Sequence, residues 1–307
     1  MRDFVWADEL TDEQDDDVRG LLLAARETDG RPDIEPGGSL PGEFAGPRHL
    51  LCRVGDGSSG SLAAYAHVDV QGDAFGRKVA ELIVHPAHRR QGHGTEVLAE
   101  VLRAATGALR VWAHGDHPAA ARLAERFSLK RVRELLVMGA SSAEHEWPEP
   151  ELPSGVRLRT FVPGRDEQAV IDVNARAFDW HPEQSAFDVE ALLAAQRESW
   201  FDPNGFFLAE NGDGRVIGFH WTKVHPANPK RFGGLPVGEV YVVGVDPDAQ
   251  GGGLGKALTL AGLRHLRDLG LGRIILYVEG DNAPAVAVYR KLGFSTVETD
   301  VQYEKGS

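Results

Sequence analysis

A strand–turn–helix pattern that occurs twice constrains this chain more than any other feature. The first copy reads Glu81-Leu-Ile-Val-His-Pro86-Ala-His-Arg89-Arg-Gln-Gly92-His-Gly94, and the second reads Tyr241-Val-Val-Gly-Val-Asp-Pro247-Asp-Ala-Gln250-Gly-Gly-Gly253-Leu-Gly255-Lys256. Setting Gly92 over Gly253 places His85-Pro86 over Asp246-Pro247 with no gap. Each copy is an apolar strand, a Pro-containing polar turn, a Gly-x-Gly and a helical period. The repeat is far longer than the roughly 20–50 residues of a solenoid unit, so two fused domains of similar fold are predicted. A chain of 307 residues suffices for both, each with its own core.

Ser141 to Gly155 (SSAEHEWPEPELPSG) reads as the linker, with three prolines and four glutamates. The predicted domains are therefore 1–140 and 156–307, joined by 141–155. Helices are predicted near Glu13–Thr28, Glu167–Phe178 and Phe187–Ser199. Hairpin strands are predicted at His49–Val54 with Ser61–Val70, and at Gly205–Glu210 with Val216–Val224; the turns Gly55–Gly60 and Asn211–Gly214 supply the glycines. Helices mixed with mostly antiparallel strands give an α+β (mixed α/β) class, with a central sheet flanked by helices in each domain.

A net charge of -13 argues against general nucleic-acid or anionic-membrane binding. Cys52 is the one cysteine, which excludes an internal disulfide and a Cys-rich metal site. His220 and His225 do not have a metal-ligand spacing, and no metal is expected. The opening MRDFVWADEL has no apolar signal core, and no stretch approaches 18 apolar residues, so a soluble cytoplasmic protein is the expectation.

Val240 to Val245 reads as a strand buried on both faces, and Gly244 within it as a bulge or a close approach. Gln250 to Gly255 opens a helix whose first N–H groups are unpaired and carry partial positive charge, a natural seat for a pyrophosphate. It is not a P-loop, because Gln250 and Ala257 stand where Gly and Ser/Thr are needed. It is not the dinucleotide fingerprint either, because Lys256 replaces a glycine.

Both turns resemble the Gln/Arg-x-x-Gly-x-Gly/Ala motif of the GNAT acyltransferases. The resemblance implies acetyl-CoA as co-substrate, its pyrophosphate on the turn and its thioester beside the preceding strand. In the second copy it implies contacts from Val243, Gly244, Val245, Gln250, Gly251, Gly252, Gly253, Leu254, Gly255 and Lys256, and from the later segment Asn282, Ala283, Pro284, Ala285, Val286 and Ala287. In the first copy it implies Leu82, Ile83, Val84, Arg90, Gln91, Gly92, His93, Gly94 and Thr95. The second copy departs from the motif by carrying Gly251 and Gly252 where arginine is common, which leaves Lys256 and backbone amides to meet the charge.

The final helices separate the copies. Aligning Phe294 with Leu129 puts Tyr289 over Ala124 and Asn282 over His117. A tyrosine there could protonate a departing thiolate, a role worth about 10² to 10⁴ in rate. It could equally be a core residue, since Ala285, Val286 and Leu292 share its helix face. Asn282 is also a sound N-cap, with Pro284 in the first turn. Glu239, two residues before Tyr241 and predicted to share a face with Tyr241 and Val243, is the candidate base; a solvated strand-end charge is the competing reading.

A sharper resemblance, over most of the chain, is to the mycothiol synthases, a family of tandem GNAT enzymes. It rests on Gly218-Phe-His-Trp221-Thr-Lys223-Val-His225-Pro226, Gly238-Glu239-Val-Tyr-Val-Val-Gly-Val-Asp-Pro247, Phe178-Asp-Trp-His-Pro-Glu183-Gln, Trp200-Phe-Asp-Pro-Asn-Gly205, Trp112-Ala-His-Gly115 and Tyr277-Val-Glu-Gly-Asp-Asn282. It implies acetyl transfer to the cysteinyl amine of a cysteine–glucosamine–inositol conjugate (desacetylmycothiol). It also implies a catalytic C-terminal domain, an N-terminal domain that holds acetyl-CoA without chemistry, and substrate contacts from Glu35, Glu183, Lys223, Glu239 and Tyr277. A monomer is expected. The competing functions are N-acetyl transfer to another small amine or peptide N-terminus, and a non-catalytic acetyl-CoA sensor.

Overall fold

The structure, a computed structural model, describes residues 2–55, 60–70, 72, 76–179 and 187–305. It forms two compact units. One comprises Met1–Glu134, Asn228–Gly234 and Thr299–Ser307; the other comprises Leu135–Ala227 and Leu235–Glu298. Segments 228–234 and 299–307, expected with the second half, thus group with the first unit. The Pro- and Glu-rich segment 141–155 lies inside the second.

The first unit opens with β1 (Arg2–Ala7) and α1 (Asp12–Asp29), followed by β2 (His49–Val54), β3 (Ser61–Asp69), β4 (Lys78–Val84), α2 (His93–Ala104), β5 (Leu109–Ala113) and α3 (Pro118–Arg126). Helix α1 begins where its sequence says it should. Thr11 accepts from Gln14 N while the Gln14 side chain accepts from Thr11 N, and Asp12, Glu13 and Asp15 complement the helix dipole. It ends at Gly30, whose φ of 78° suits glycine. Val18, Leu21, Leu22 and Ala25 recur at helical spacing and are buried. The strands pair in the order β1-β2-β3-β4-β5, antiparallel except for β4 with β5.

The second unit takes its first strand from the end of β6 (Leu129–Ser141) and continues with β7 (Arg157–Thr160), α4 (Glu167–Ala177), α5 (Val189–Ala195), β8 (Phe206–Glu210), β9 (Val216–His225), β10 (Val237–Val245), α6 (Leu254–Asp268), β11 (Arg273–Glu279), α7 (Ala283–Lys291) and the start of β12 (Ser295–Lys305). Its strands run β6-β11-β10-β9-β8-β7, with β10 and β11 parallel and the rest antiparallel.

The closing strands are exchanged between the repeats. β6, at the end of the first repeat, pairs with β11 of the second unit from Arg273↔Ser141 to Glu279↔Leu135. β12, at the end of the second repeat, pairs with β5 of the first unit from Val301↔Ala113 to Glu304↔Arg110. Val301 and Tyr303 accordingly sit in the first unit's core with Val97, Val101 and Val111. In the second unit, α6 covers one face of the sheet through Leu260, Leu263 and Leu266. On the other face, Val170 and Val173 of α4 and Leu192 of α5 pack on Phe206, Phe219, Trp221 and Val242.

His220 of β9 lies fully buried beneath α6, its Nδ1 2.7 Å from the Leu258 carbonyl. Gly262 makes room for it: a Cβ there would lie 2.0 Å from His220 Cε1. Gly262→Ala gains at most about 1 kcal/mol of helix propensity. The overpacking costs typically 1–3 kcal/mol and occasionally more. A net loss of about 2 kcal/mol is expected, measurable as a lower urea midpoint.

Candidate active site

The site is created by a break in strand pairing. β10 and β11 pair only at Gly238↔Ile274, Glu239↔Ile275 and Val240↔Leu276. Immediately beyond, the β9–β10 register slips, with Val240 opposite Thr222 and Val242 opposite Trp221, so Tyr241 is an extra residue. Such a bulge bends and twists its strand. Past it, Tyr241–Val245 and Tyr277–Glu279 have no mutual ladder and form a fork. β4 and β5 of the first unit also pair over three rungs only, Lys78↔Leu109 to Ala80↔Val111, though β4 keeps an unslipped register with β3.

The bulge corrects one expectation. Val243 does not share a face with Glu239 and Tyr241. It packs with Val240 on the α6 side, while Val242 joins the α4 side. Gly244 is a close approach rather than the bulge itself, because a Cβ there would meet Phe219 Cε1 at 2.7 Å and Phe178 Cε2 at 3.3 Å.

At the mouth of each fork the two turns match residue by residue. His85 and Asp246 each cap a short 3₁₀ turn by accepting the N–H two residues on, from Ala87 and Asp248. Arg89 Nε donates to the Val84 carbonyl at 3.2 Å, and Gln250 Nε2 donates to Val245 at 3.3 Å. Arg90 and Gly251 both adopt left-handed φ, at 62° and 90°. Gly92 and Gly253, at 91° and 85°, are the N-caps of α2 and α6, and neither helix has a side-chain cap. The leading N–H groups of both helices therefore have no side-chain acceptor, and nothing within 4 Å would meet a Cβ on Gly251 or Gly253. An uncapped, uncrowded helix start is what a diphosphate requires. Lys256 lies in the first turn of α6, and Leu254 is buried in the core beneath it. His93, at the place of Leu254, is likewise buried, with Nδ1 3.9 Å from Cys52 Sγ; it is a core residue of the first unit.

The α4 face of the second unit carries the polar chemistry. Glu239 is only 4% exposed, so it is not a solvated strand-end charge. His225 Nε2 lies 2.5 Å from its Oε2. Lys223 stands across from Glu239 in the β9–β10 register. Its ammonium is 4.5 Å from the Trp200 ring centre and 5.4 Å from that of Tyr241, and Tyr241 packs edge-on against both Trp200 and Trp221. Such cation–π contacts fix the lysine's direction. Tyr277 is the first β11 residue past the last rung with β10.

Tyr289 on α7 borders the apolar cluster that also includes Val243, Leu276, Val278 and Val286, and it meets Phe294 edge-on at 5.9 Å. Burial pushes its hydroxyl up to about 12, so it stays protonated at neutral pH. Asn282 is the N-cap of α7, accepting from Ala285 N at 3.1 Å, with Pro284 in the first turn and Ala283 and Ala287 exposed. The packing reading of Tyr289 and the capping reading of Asn282 are thus both realised, and neither conflicts with a role at the fork.

The first unit's fork holds different chemistry. His114 Nε2 lies 3.0 Å from Glu81 Oε2, and His114 Nδ1 lies 3.4 Å from Asp300 Oδ2; that carboxylate also accepts from Arg31 at Oδ2 and from the Gly115 N–H at Oδ1. Burial alone would lower the imidazole, but the two carboxylates outweigh it and push it up to about 10. Ala124 is buried where Tyr289 stands in the other copy. Glu35 belongs to this unit and pairs with Arg26 at 2.8 Å. Glu183 lies outside the described residues.

His225, which has no metal-ligand spacing, lies on the Glu239 side of β9. The strand alternation held the signal: 223 and 225 lie on one face of β9, the face that meets Glu239. A separate cavity of about 540 Å³ between β7 and α4 is lined by Arg157, Arg159, Arg165, Arg176 and Arg215. These guanidiniums pair with buried Asp166, Glu210 and Asp246, so the cluster anchors the turns around it.

The sequence profile of the acetyltransferase (GNAT) family matches residues 10–128 and 170–294, one stretch in each repeat. Over all 307 residues the chain is 78% identical to a mycothiol acetyltransferase of Saccharomonospora viridis, covering 100% of both chains. It is 61% identical to one of Amycolatopsis mediterranei, covering 97% of each. The chain belongs to the mycothiol acetyltransferases of the GNAT family. Among solved structures, a GCN5-related N-acetyltransferase from Sphaerobacter thermophilus aligns with TM-score 0.64 and 25% identity over 98% of this chain and 95% of that one. A tandem GNAT protein from the clavulanic acid biosynthesis pathway aligns with TM-score 0.67 and 21% identity over 100% and 99%, and shares the tandem fold. GNAT acetyltransferases use acetyl-CoA, and this chain is an acetyl-CoA-dependent N-acetyltransferase. No helix among the described residues is long and apolar enough to cross a membrane, and no cluster of three or more His, Cys, Asp or Glu among them could hold a metal.

Gly253→Ala tests the turn. Forcing an L-residue into left-handed φ costs about 1–2 kcal/mol, while the space around it stays open. A folded enzyme with a severalfold higher KM for acetyl-CoA is expected, read from CoA release at varied acetyl-CoA.

Proposed function

We propose that the protein transfers acetyl from acetyl-CoA to the cysteinyl amine of the cysteine–glucosamine–inositol conjugate, giving mycothiol and CoA, as a cytoplasmic monomer. The observation that carries this reading is the full-length identity of 78% to a mycothiol acetyltransferase, on a chain whose second fork keeps both a buried carboxylate and a protonated phenol.

In this reading the N–H groups opening α6, with Lys256, hold the coenzyme diphosphate, and Val243–Val245 lie along the thioester. Gly244 presents its amide to the acyl oxygen, where charge develops as the amine attacks. Glu239 takes the amine proton, directly or through one water. A cysteinyl α-amine has a reference pKa near 8, about one pH unit above neutrality, so a carboxylate suffices. The tetrahedral intermediate then expels CoA thiolate, which Tyr289 protonates. Lys223, Tyr277, Glu183 and Glu35 serve the sugar conjugate. That unit holds a second acetyl-CoA on Gln91–Thr95 without turning it over. Ala124 offers no proton, and His114 is held between two carboxylates.

Incubation with acetyl-CoA and the cysteinyl conjugate, with the product weighed by mass spectrometry, tests the reaction; a product without the added acetyl mass rejects it. Tyr289→Phe is expected to lower kcat by about 10² or more with acetyl-CoA binding intact. Because the phenol ionises only near 12, wild-type kcat should show no alkaline fall between pH 8 and 10. Glu239→Gln is expected to lower kcat/KM by a similar factor, with the largest deficit above the acid limb, where the wild-type carboxylate is ionised.

A further inference from the structure

Glu239 presents a physical problem that its partner resolves. A carboxylate 4% exposed has lost most of its water and, without a strong donor, takes up a proton and cannot act as a base. The group that answers its Oε2 is His225 Nε2 at 2.5 Å. We propose that His225 is the positioning residue of the acetyl-transfer site: its Nε2–H donates to Glu239 Oε2, keeps the carboxylate in its proton-accepting form and leaves Oε1 as the oxygen that meets the amine. The proposal rests on the reading of Glu239 as base.

The surroundings support this assignment. His225 and Lys223 sit on the same face of β9, and Lys223, which faces Glu239 across the ladder, is engaged by the Trp200 and Tyr241 rings. Lys223 supplies positive charge near the carboxylate, but the contact to Oε2 itself is made by the imidazole. Tyr241 is the other titratable group on this face of β10, and Tyr277 comes from β11 just past the fork. Burial, with the charge of Glu239 added, pushes the Tyr241 hydroxyl up to about 12, so it remains neutral through the working range. The imidazole is 20% exposed, and its Nε2 is committed to Glu239. The first unit contains a contrasting arrangement. There His114 is bound at both nitrogens by carboxylates of Glu81 and Asp300, a closed ionic cluster.

In the proposed step the amine N–H bond breaks and an Oε1–H bond forms on Glu239. The nitrogen electron pair forms the bond to the acetyl carbon as the carbonyl π pair moves onto the acyl oxygen. That pair then returns and the C–S bond breaks, with the CoA thiolate taking the proton of Tyr289 and solvent resetting Glu239 and Tyr289, while the Nε2–H bond of His225 is neither made nor broken. His225 therefore governs how easily the resting carboxylate is protonated, and the acid limb of the pH profile reports this directly.

The test uses the full-length enzyme with acetyl-CoA and the cysteinyl conjugate, with kcat/KM measured from pH 5.5 to 9 for wild type, His225→Leu, His225→Gln and Glu239→Gln. His225→Leu fills the space without a donor. Its acid limb should move up by about one pH unit or more, a loss that grows toward about tenfold as the pH falls below the wild-type limb, with KM for acetyl-CoA unchanged. His225→Gln, whose amide keeps an N–H, should restore most of the limb. A His225→Leu limb within 0.3 pH unit of wild type, or a His225→Gln limb displaced as far as that of His225→Leu, overturns the proposal. If Glu239→Gln itself retains wild-type kcat/KM, the underlying reading of the base fails; if it is inactive while His225→Leu shows an unshifted limb, only the role of His225 fails.

Discussion

The separation of β10 from β11 after three rungs is what makes this protein more than a covered sheet. Each unmade ladder bond leaves a strand N–H or C=O in need of a partner, and a sheet interior ordinarily does not tolerate that. Here the extra residue Tyr241 turns the end of β10 away, the short 3₁₀ turn after Asp246 closes the strand, and α6 starts on an uncapped glycine. The end of β10 and the start of α6 are thus joined by one short turn. An extended thioester with a diphosphate at its far end matches that run of donors.

Duplication shows which parts of this device tolerate change. The turn caps and the strand-end carbonyl contact persist although Arg89 replaces Gln250 and His85 replaces Asp246. These positions ask only for a donor or an acceptor at the right length, and several residue types can provide it. The side chains proposed for proton transfer are not repeated. The first unit lacks the bulge and carries Ala124 for the phenol, and its imidazole is enclosed by Glu81 and Asp300. In the proposed reading, coenzyme binding rests on backbone amides, which tolerate such replacements. Proton transfer depends on particular side chains.

Much of this was legible in the sequence. The capping box of α1, the glycine-led start of α6 and the cap of α7 are local, and their residues announce them. Glu239 was recognisable as a carboxylate on a buried strand, but not its burial or its partner, since both depend on which β9 residue lies across from it. Gly244 reads in the sequence as a bulge or a close approach, and only the close approach is realised there. The inserted residue is a tyrosine, which nothing in local preference distinguishes from its neighbours, and one insertion was enough to move Val243 to the opposite face. The strand exchange was equally hidden. β6 and β12 hold equivalent places in their repeats, so the choice of partner depends on tertiary packing rather than on position in the repeat.

That exchange has a bearing on how the protein is made. The strand that completes the first unit's sheet comes from Thr299–Ser307, so β5 must wait for its neighbour until nearly all of the second repeat has left the ribosome. At about 5–20 residues per second, that interval is on the order of ten seconds, during which the β5 edge is open and the Arg31 and His114 side chains lack Asp300. The nascent first repeat is thus an unfinished sheet, exposed to edge pairing with other chains. For the same reason, cutting the gene at the proline-rich segment would yield two pieces, each missing the strand that the other retains.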